Sequence, residues 1–302
     1  MLALGCWAFA GNDWGSQDDR DSLGAMKEAW DHGVRHWDTA IAYGSGHSER
    51  LCGLFLKDKY DEAFVASKAS VGKKPGSIVR ALYKSLSNLK TERIDLYYLH
   101  YPKRGVDMRP HMELLGREKE RGLIGAIGVS NFSLEEMESL REVGEIDVCQ
   151  IGYNPIWRKP DADILPYCRK HGIPVVTHSS IGQGILTGKF SLDPRFREDD
   201  VRSRNVLFDQ QLWSKIHPLI EEMKAIVLPL ELPLHHLTIQ WNLRQPGITT
   251  AVIGSRSTEQ SAVNFSALNS RFSEKAFSDV TAISNRLQEL LPDETNLFRW
   301  YP

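Results

Sequence analysis

Short apolar, β-branched runs recur along the chain, with amphipathic stretches between them. The runs predict eight strands, near Leu2–Gly5, Val34–Trp37, Ala63–Ala66, Ile94–Leu99, Ile124–Val129, Asp147–Ile151, Pro174–Thr177 and Thr249–Ile253. The first seven begin 23 to 32 residues apart, and the eighth follows 75 residues after the seventh. A strand–helix–strand step takes about 30 residues. The intervening stretches read as helices. Ser22–His32 stops at Gly33, a C-terminal cap signal. Ser77–Leu89 carries Ile78, Leu82, Leu86 and Leu89 as a helical stripe. Ser133, with Glu136 three residues on, reads as a capping box opening Leu134–Arg141. Cys168–His171 ends at Gly172.

Strands alternating with helices over this length predict an α/β chain folded as a parallel eight-stranded (β/α)8 TIM barrel. A doubly wound open sheet is the alternative. No composition shift marks a linker, so residues 1–302 read as a single barrel domain. The long seventh interval contains a charge-rich segment, 188–215, with Arg195, Arg197, Glu198, Asp199, Asp200, Arg202 and Arg204. It reads as a long loop after the seventh strand, either a solvated excursion or a lid.

Composition narrows the class. Apolar residues make up 41% and charged residues 25%, which excludes disordered, collagen-like and coiled-coil chains. Lys and Arg number 37 against 39 Asp and Glu, for a net charge of −2. That balance offers no basic surface for nucleic acid or an anionic membrane. Cys6, Cys52, Cys149 and Cys168 form no C-x-x-C pair, and four thiols suit a reducing, cytoplasmic setting. No run approaches 18 apolar residues, and the start lacks the charge and apolar stretch of a signal peptide.

In such a barrel the chemistry gathers where strands end and helices begin. Cys6 and Trp7 follow the first strand, Asp38 and Tyr43 the second, Lys68 the third, and His100 ends the fourth. Ser130 and Asn131 follow the fifth, Gln150 lies in the sixth, His178 and Ser179 follow the seventh, and Gly254, Ser255 and Arg256 the eighth. A metal hydrolase would need clustered imidazoles and carboxylates, yet the ten histidines form no H-x-H or H-E-x-x-H. No metal site is expected. A phenol titrates near ~10, and a neighbouring ammonium lowers that value. Lys68, held by Asp38, would so activate Tyr43 as a general acid toward an oxygen gaining charge. His100 would donate a second hydrogen bond to that oxygen. This set suits carbonyl reduction by a bound hydride donor. Taken singly, each has a plainer reading: a buried Asp–Lys pair is often structural, and a Tyr near a turn often only packs.

Seven segments, in order, resemble the aldo-keto reductase family, and its bacterial general aldo/keto reductases in particular. They are GVRHWDTAIAYGSGHSERLCG, FVASK, DLYYLHYP, GVSNF, CQIGYNP, GQGILTGKF and QWNLRQPGITTAVIGSRSTEQ, and the likeness runs from about Leu2 to Leu268. The resemblance implies that Asp38, Tyr43, Lys68 and His100 are the catalytic tetrad. It implies NADPH/NADP+ bound without a Rossmann fold, so Gly44-Ser-Gly46 is no dinucleotide fingerprint. Ser130, Asn131 and Gln150 would hold the nicotinamide carboxamide. Ser179 to Lys189, with Gly182, Gln183, Gly184, Leu186 and Gly188, would cover the pyrophosphate, where glycines permit close approach. Ser255 and Arg256 would meet the 2′-phosphate, which a guanidinium fork matches. Gln260 and Asn264 would approach the adenosine. Cys6, Trp7, Asp38, His178, Ile253 and Gly254 complete the expected cofactor groove.

Three positions depart from the family pattern. His178 stands where a Tyr or Trp usually stacks on the nicotinamide, and an imidazole offers less area and can carry charge. Ser180 replaces a usual Pro, and Val263 replaces an acidic residue. The family's N-terminal hairpin, which closes the barrel floor, has no counterpart before the first strand. Trp7, Trp14, Trp157, Phe208, Trp213, Phe298 and Trp300 are candidates for walling a substrate pocket. The expected partner is a small aldehyde or ketone, with the chain a monomer or weak homo-oligomer. The alternative is a cofactor-binding sensor resembling potassium-channel β subunits, against which the intact tetrad argues.

Overall fold

The computed structural model describes residues 1–11, 13–294 and 297. Eight parallel strands pair in chain order and close on themselves. They are β1 (Leu2–Gly5), β2 (His36–Asp38), β3 (Phe64–Ala69), β4 (Ile94–Leu99), β5 (Ile124–Ser130), β6 (Val148–Gly152), β7 (Val175–His178) and β8 (Ile248–Gly254). Leu2 faces Ala251 and Gly5 faces Gly254, so β1 seals against β8 and no sheet edge is left open. This is the expected barrel and not the open sheet. β2 and β7 run one residue past the apolar runs, and β3 runs three past, because neighbouring backbones continue to supply partners. Thr39 N–H donates to Ala66 at 2.9 Å, and Ile41 N–H to the Lys68 carbonyl at 3.1 Å. Asp38 and Lys68 therefore lie within strands, not after them.

Helices cover the barrel: α1 (Asp19–Asp31), α2 (His47–Phe55), α3 (Gly76–Leu89), α4 (Arg109–Glu120), α5 (Leu134–Arg141), α6 (Ile164–His171), α7 (Gln210–Val227), α8 (Leu234–Leu243), α9 (Thr258–Phe265) and α10 (Glu274–Gln288). The α5 capping box is present, with Ser133 N–H donating to Glu136 Oε2 at 2.8 Å. Ile78, Leu82, Leu86 and Leu89 form the buried stripe of α3. α6 stops at Gly172, whose φ of 67° suits glycine.

The 75-residue interval holds both α7 and α8. The loop after β7 is shorter than the sequence suggested, ending at Asp209 instead of running to Lys215. The Asp209 carboxylate accepts from the N–H groups of Gln211 and Leu212 and caps α7 there. Two short 3-10 turns, Val201–Arg204 and Val206–Phe208, sit inside the loop. It is also tied to the segment after β1: Trp14 pairs with Asp200, and Val201 N–H donates to Asp13 at 2.7 Å.

Side chains two apart along a strand share a face. Ala3, Val176 and Val252 form one cluster on the inner wall, and Ala66, Leu96 and Tyr98 another. Gly128 faces Tyr98 there. A Cβ at Gly128 would lie 2.3 Å from the Tyr98 ring, so glycine is what lets this ring plug the barrel. Two residues further along the same faces come Gly5, Asp38, Lys68, Ser130, Gln150, His178 and Gly254. The alternation thus delivers six of the predicted site residues, with Gly5 beside them, to one inner rim.

Candidate active site

Lys68 is fully buried, and its Nζ donates to Asp38 Oδ1 at 2.5 Å and to the Thr39 carbonyl at 2.9 Å. Gln150 Nε2 donates to the other Asp38 oxygen at 2.7 Å. Tyr43 arrives from the loop after β2. Its ring stacks on Trp7 with centroids 6.0 Å apart and meets His100 edge-on at 5.8 Å. Lys68 Nζ lies 5.3 Å from the centre of the Tyr43 ring. The four tetrad candidates are thus brought together, from three successive strands and their loops.

Their electrostatics differ in one respect from the sequence expectation. Tyr43 is pushed well above its ordinary value, first by burial and then by the Asp38 charge. The ammonium that was expected to lower it is committed to Asp38. Tyr43 is accordingly a neutral phenol at physiological pH, the form an acid must have. Burial, followed by the Lys68 charge, holds His100 well below the usual imidazole value. A neutral His100 retains one N–H to donate.

A cleft opens above this cluster, lined by Trp7, Asp38, Tyr43, His100, Ser130, Asn131, Gln150, His178, Ser179, Gln183, Gly184, Lys189, Gly254, Arg256 and Gln260. Asn131 takes φ 64°, and its Nδ2 donates to Ser130 Oγ at 2.9 Å and to the His100 carbonyl at 3.2 Å. Its Oδ1 lies 2.8 Å from His178 Nε2, which places the imidazole proton on Nε2. Ser179 Oγ then donates to His178 Nδ1 at 3.2 Å. Burial, with Lys68 second, lowers His178 to about 4. The charge that the sequence allowed it is therefore absent at neutral pH.

Several expected contributors do not line the cleft. They are Cys6, Gly182, Leu186, Gly188, Ile253, Ser255 and Asn264. The Cys6 thiol turns away to the Leu4 carbonyl and Cys52. Asn264 Nδ2 donates to Ser255 Oγ at 3.0 Å and to the Gly254 carbonyl at 3.1 Å, shaping the turn after β8 from beneath. Gln260 Oε1 accepts from the Arg256 N–H at 2.9 Å. Arg256 Nε donates to Gln17 Oε1 at 2.9 Å, and Nη2 to the Ser16 carbonyl at 2.6 Å. Val263 is exposed on α9.

Of the aromatic candidates, Trp7 and Trp14 line the cleft and meet edge-on at 5.1 Å. Trp157, Phe208 and Trp213 do not line it. Trp213 packs on Phe208 and donates to the Ser191 carbonyl, a loop-packing role. Phe298 and Trp300 lie outside the described residues.

Ser180 and Ile181 line the cleft within the expected 179–189 segment, whereas Gly5, Ala8, Tyr101, Arg202 and Val252 line it without having been expected from the sequence. Tyr101 was legible as the neighbour of His100. Arg202 was visible only as one charge among many, because its place depends on the loop's tether to Trp14. It pairs with Asp200 at 2.5 Å and lies over the Trp14 ring. Lys189, Arg202 and Arg256 bring three cations into one groove, where Asp200 is the carboxylate that acts on all three. Burial and then Arg202 lower Lys189. Such a surplus of positive charge, from partly exposed side chains lining one cleft, fits a polyphosphate ligand. So does the buried Gln183 Nε2, which has no hydrogen-bond partner.

The aldo/keto reductase family model matches residues 1–285. The aldo-keto reductase YhdN of Bacillus subtilis is 32% identical over 271 residues, covering 86% of this chain and 82% of that protein. The structure of a glycerol dehydrogenase from Gluconobacter oxydans superposes with a TM-score of 0.85 at 31% identity, covering 94% of this chain and 91% of that one. A Klebsiella pneumoniae aldo-keto reductase solved with NADPH shares the fold, with a TM-score of 0.75 at 21% identity over 98% of this chain and 93% of that one. With the family model spanning nearly the whole chain and the barrel closing around these four side chains, this protein belongs to the aldo/keto reductase family of oxidoreductases.

Proposed function

We propose that this protein reduces an aldehyde or ketone to the alcohol, with NADPH as the reductant and Tyr43 as the general acid. The observation that carries the reading is the meeting of the Tyr43 and His100 rings at 5.8 Å in the cleft, above the buried Lys68–Asp38 pair. NADPH, when bound, supplies the hydride. The rest is the work of this chain's residues. The Tyr43 hydroxyl donates its proton to the carbonyl oxygen as negative charge develops there. The neutral His100 donates a second hydrogen bond and fixes the angle of that oxygen. Lys68, charged and anchored by Asp38, sits beneath the phenol and stabilises the phenolate left behind. Trp7 and Trp14 wall the cleft beside the reacting centre.

The groove beyond His178 suits the cofactor. His178 presents a flat, uncharged ring for the nicotinamide. Asn131 and Ser130, on either side of the end of β5, face the carboxamide. Lys189, Arg202 and Arg256 face the phosphates, with Arg256 assigned to the 2′-phosphate that distinguishes NADPH from NADH.

The test is turnover of a generic aromatic aldehyde, followed by NADPH absorbance, in the parent and in Tyr43→Phe. The ring is kept and the proton donor lost, so kcat should fall at least ~10²-fold with cofactor affinity little changed. Turnover near the parental rate in the variant removes Tyr43 from the acid role.

A further inference from the structure

We propose that Gln150 is a positioning residue for the catalytic carboxylate, holding Asp38 in register with Lys68 and so governing Tyr43, in addition to facing the cofactor. The inference rests on the reading of Tyr43 as the acid. Asp38 is a buried carboxylate with one donor on each oxygen: Lys68 Nζ on Oδ1 at 2.5 Å and Gln150 Nε2 on Oδ2 at 2.7 Å. Two donors on opposite oxygens fix the plane of the carboxylate as well as its position. Gln150 is itself immobilised. It is almost fully buried, its backbone pairs with Ser130 and with Val176, and its carbonyl accepts from Asn131 N–H at 3.1 Å. The Tyr98 hydroxyl lies beside its amide, inside the barrel. Gln150 thus couples two functions, since it also lines the cleft.

The consequence follows from charge. Asp38 raises Tyr43, and the Lys68 ammonium is paired with Asp38. A neutral donor on Oδ2 stabilises part of the carboxylate's charge and so weakens its push on the phenol. The titratable groups around Tyr43 are Asp38 from β2, Lys68 from β3, His100 and Tyr101 after β4, and Cys6 and Asp13 after β1. Those around Asp38 are Lys68, Tyr98, Cys6, His36 and His178. Gln150 is the uncharged partner in this cluster, so replacing it tests the carboxylate without removing a charge.

The experiment compares the parent, Tyr43→Phe, Gln150→Met and Gln150→Glu. NADP+ and NADPH affinities are read by tryptophan fluorescence, and kcat for alcohol oxidation is followed from pH 6 to 10. In Gln150→Met the alkaline-rising limb should move up by about half a unit or more. In Gln150→Glu the protonated carboxyl can still donate to Asp38 while the ionised one repels it. Its profile should therefore match the parent at low pH and collapse as pH rises. If both Gln150 variants only weaken the cofactor and their kcat profiles overlay the parent's, Gln150 is a cofactor ligand and the proposal is wrong. If Gln150→Met does not fold, the isosteric Gln150→Glu decides alone. Parental turnover in Tyr43→Phe overturns the reading of Tyr43. An unmoved profile in the Gln150 variants, with Tyr43→Phe inactive, overturns only the role given to Gln150.

Discussion

The Nζ of Lys68 lies 2.5 Å from Oδ1 of Asp38, with both side chains sealed inside the barrel. Removing either partner leaves the other charge buried and unpaired, which costs about 3–5 kcal/mol. Asp38→Asn and Lys68→Met should each lose that much stability in urea unfolding. The double replacement should cost less than the sum of the two. Strict additivity would show that the two groups do not act as a pair. Lys68→Met should also depress turnover about as severely as loss of the Tyr43 hydroxyl, since the phenolate loses its counter-charge.

Arg256 is presented to the cleft by Gln17 and Ser16, two residues of the segment after β1. If it meets the 2′-phosphate, Arg256→Ala should weaken NADPH by about 1.5–3 kcal/mol and leave NADH almost unchanged. Gln17→Ala should produce a smaller effect in the same direction, because it loosens the guanidinium without removing it. Equal losses for the two cofactors would refute the assignment. Isothermal titration with each cofactor separates these outcomes.

His178 is lowered to about 4 by burial and by Lys68. Between pH 6 and pH 8 it therefore stays neutral and exerts no charge effect on the nicotinamide. The ratio of NADP+ to NADPH affinity should be flat across that range, since the phosphates titrate alike in both. A ratio that falls as pH drops would mean that the imidazole is protonated there. His178→Tyr should change the absolute affinities without altering the flatness.

Three imidazoles share this property: His36, His178 and His235 are each lowered to about 4, chiefly by desolvation. In the unfolded chain each takes up a proton near ~6.5. Between about 6.5 and 4 the unfolded state binds more protons than the native one, so stability falls as pH falls. Three such groups together give a slope of up to roughly 4 kcal/mol per pH unit within that window. Above about pH 7 their contribution is complete and constant. Urea unfolding at pH 7.5, 6 and 5 measures the slope. Replacing His235, which faces neither the cleft nor the barrel interior, should reduce it by about a third. An unchanged slope in that variant would place the acid sensitivity elsewhere.

Much of the architecture is written in local pattern. β1 and β4 have the limits that the apolar runs gave, and α5 begins and ends where Ser133, Glu136 and Arg141 said it would. The reason is that strand alternation, helical stripes and capping act over a few residues, and the spacing of β–α units leaves a closed barrel as the natural way to bury both sheet faces. The membership of the rim was legible for the same reason, because Asp38, Lys68, Gln150 and His178 sit at fixed distances along strands whose register is set by that alternation. Tertiary structure alone decided how those side chains spend their charges and hydrogen bonds. That Lys68 belongs to Asp38 and leaves Tyr43 a neutral phenol depends on burial and on three strands meeting. That His178 is held against Asn131 joins two strand ends 47 residues apart, and its neutrality comes from burial. That Arg202 reaches the cleft depends on the Trp14–Asp200 bridge between two loops. Desolvation and long-range pairing are properties of the assembled interior, and no window of sequence contains them.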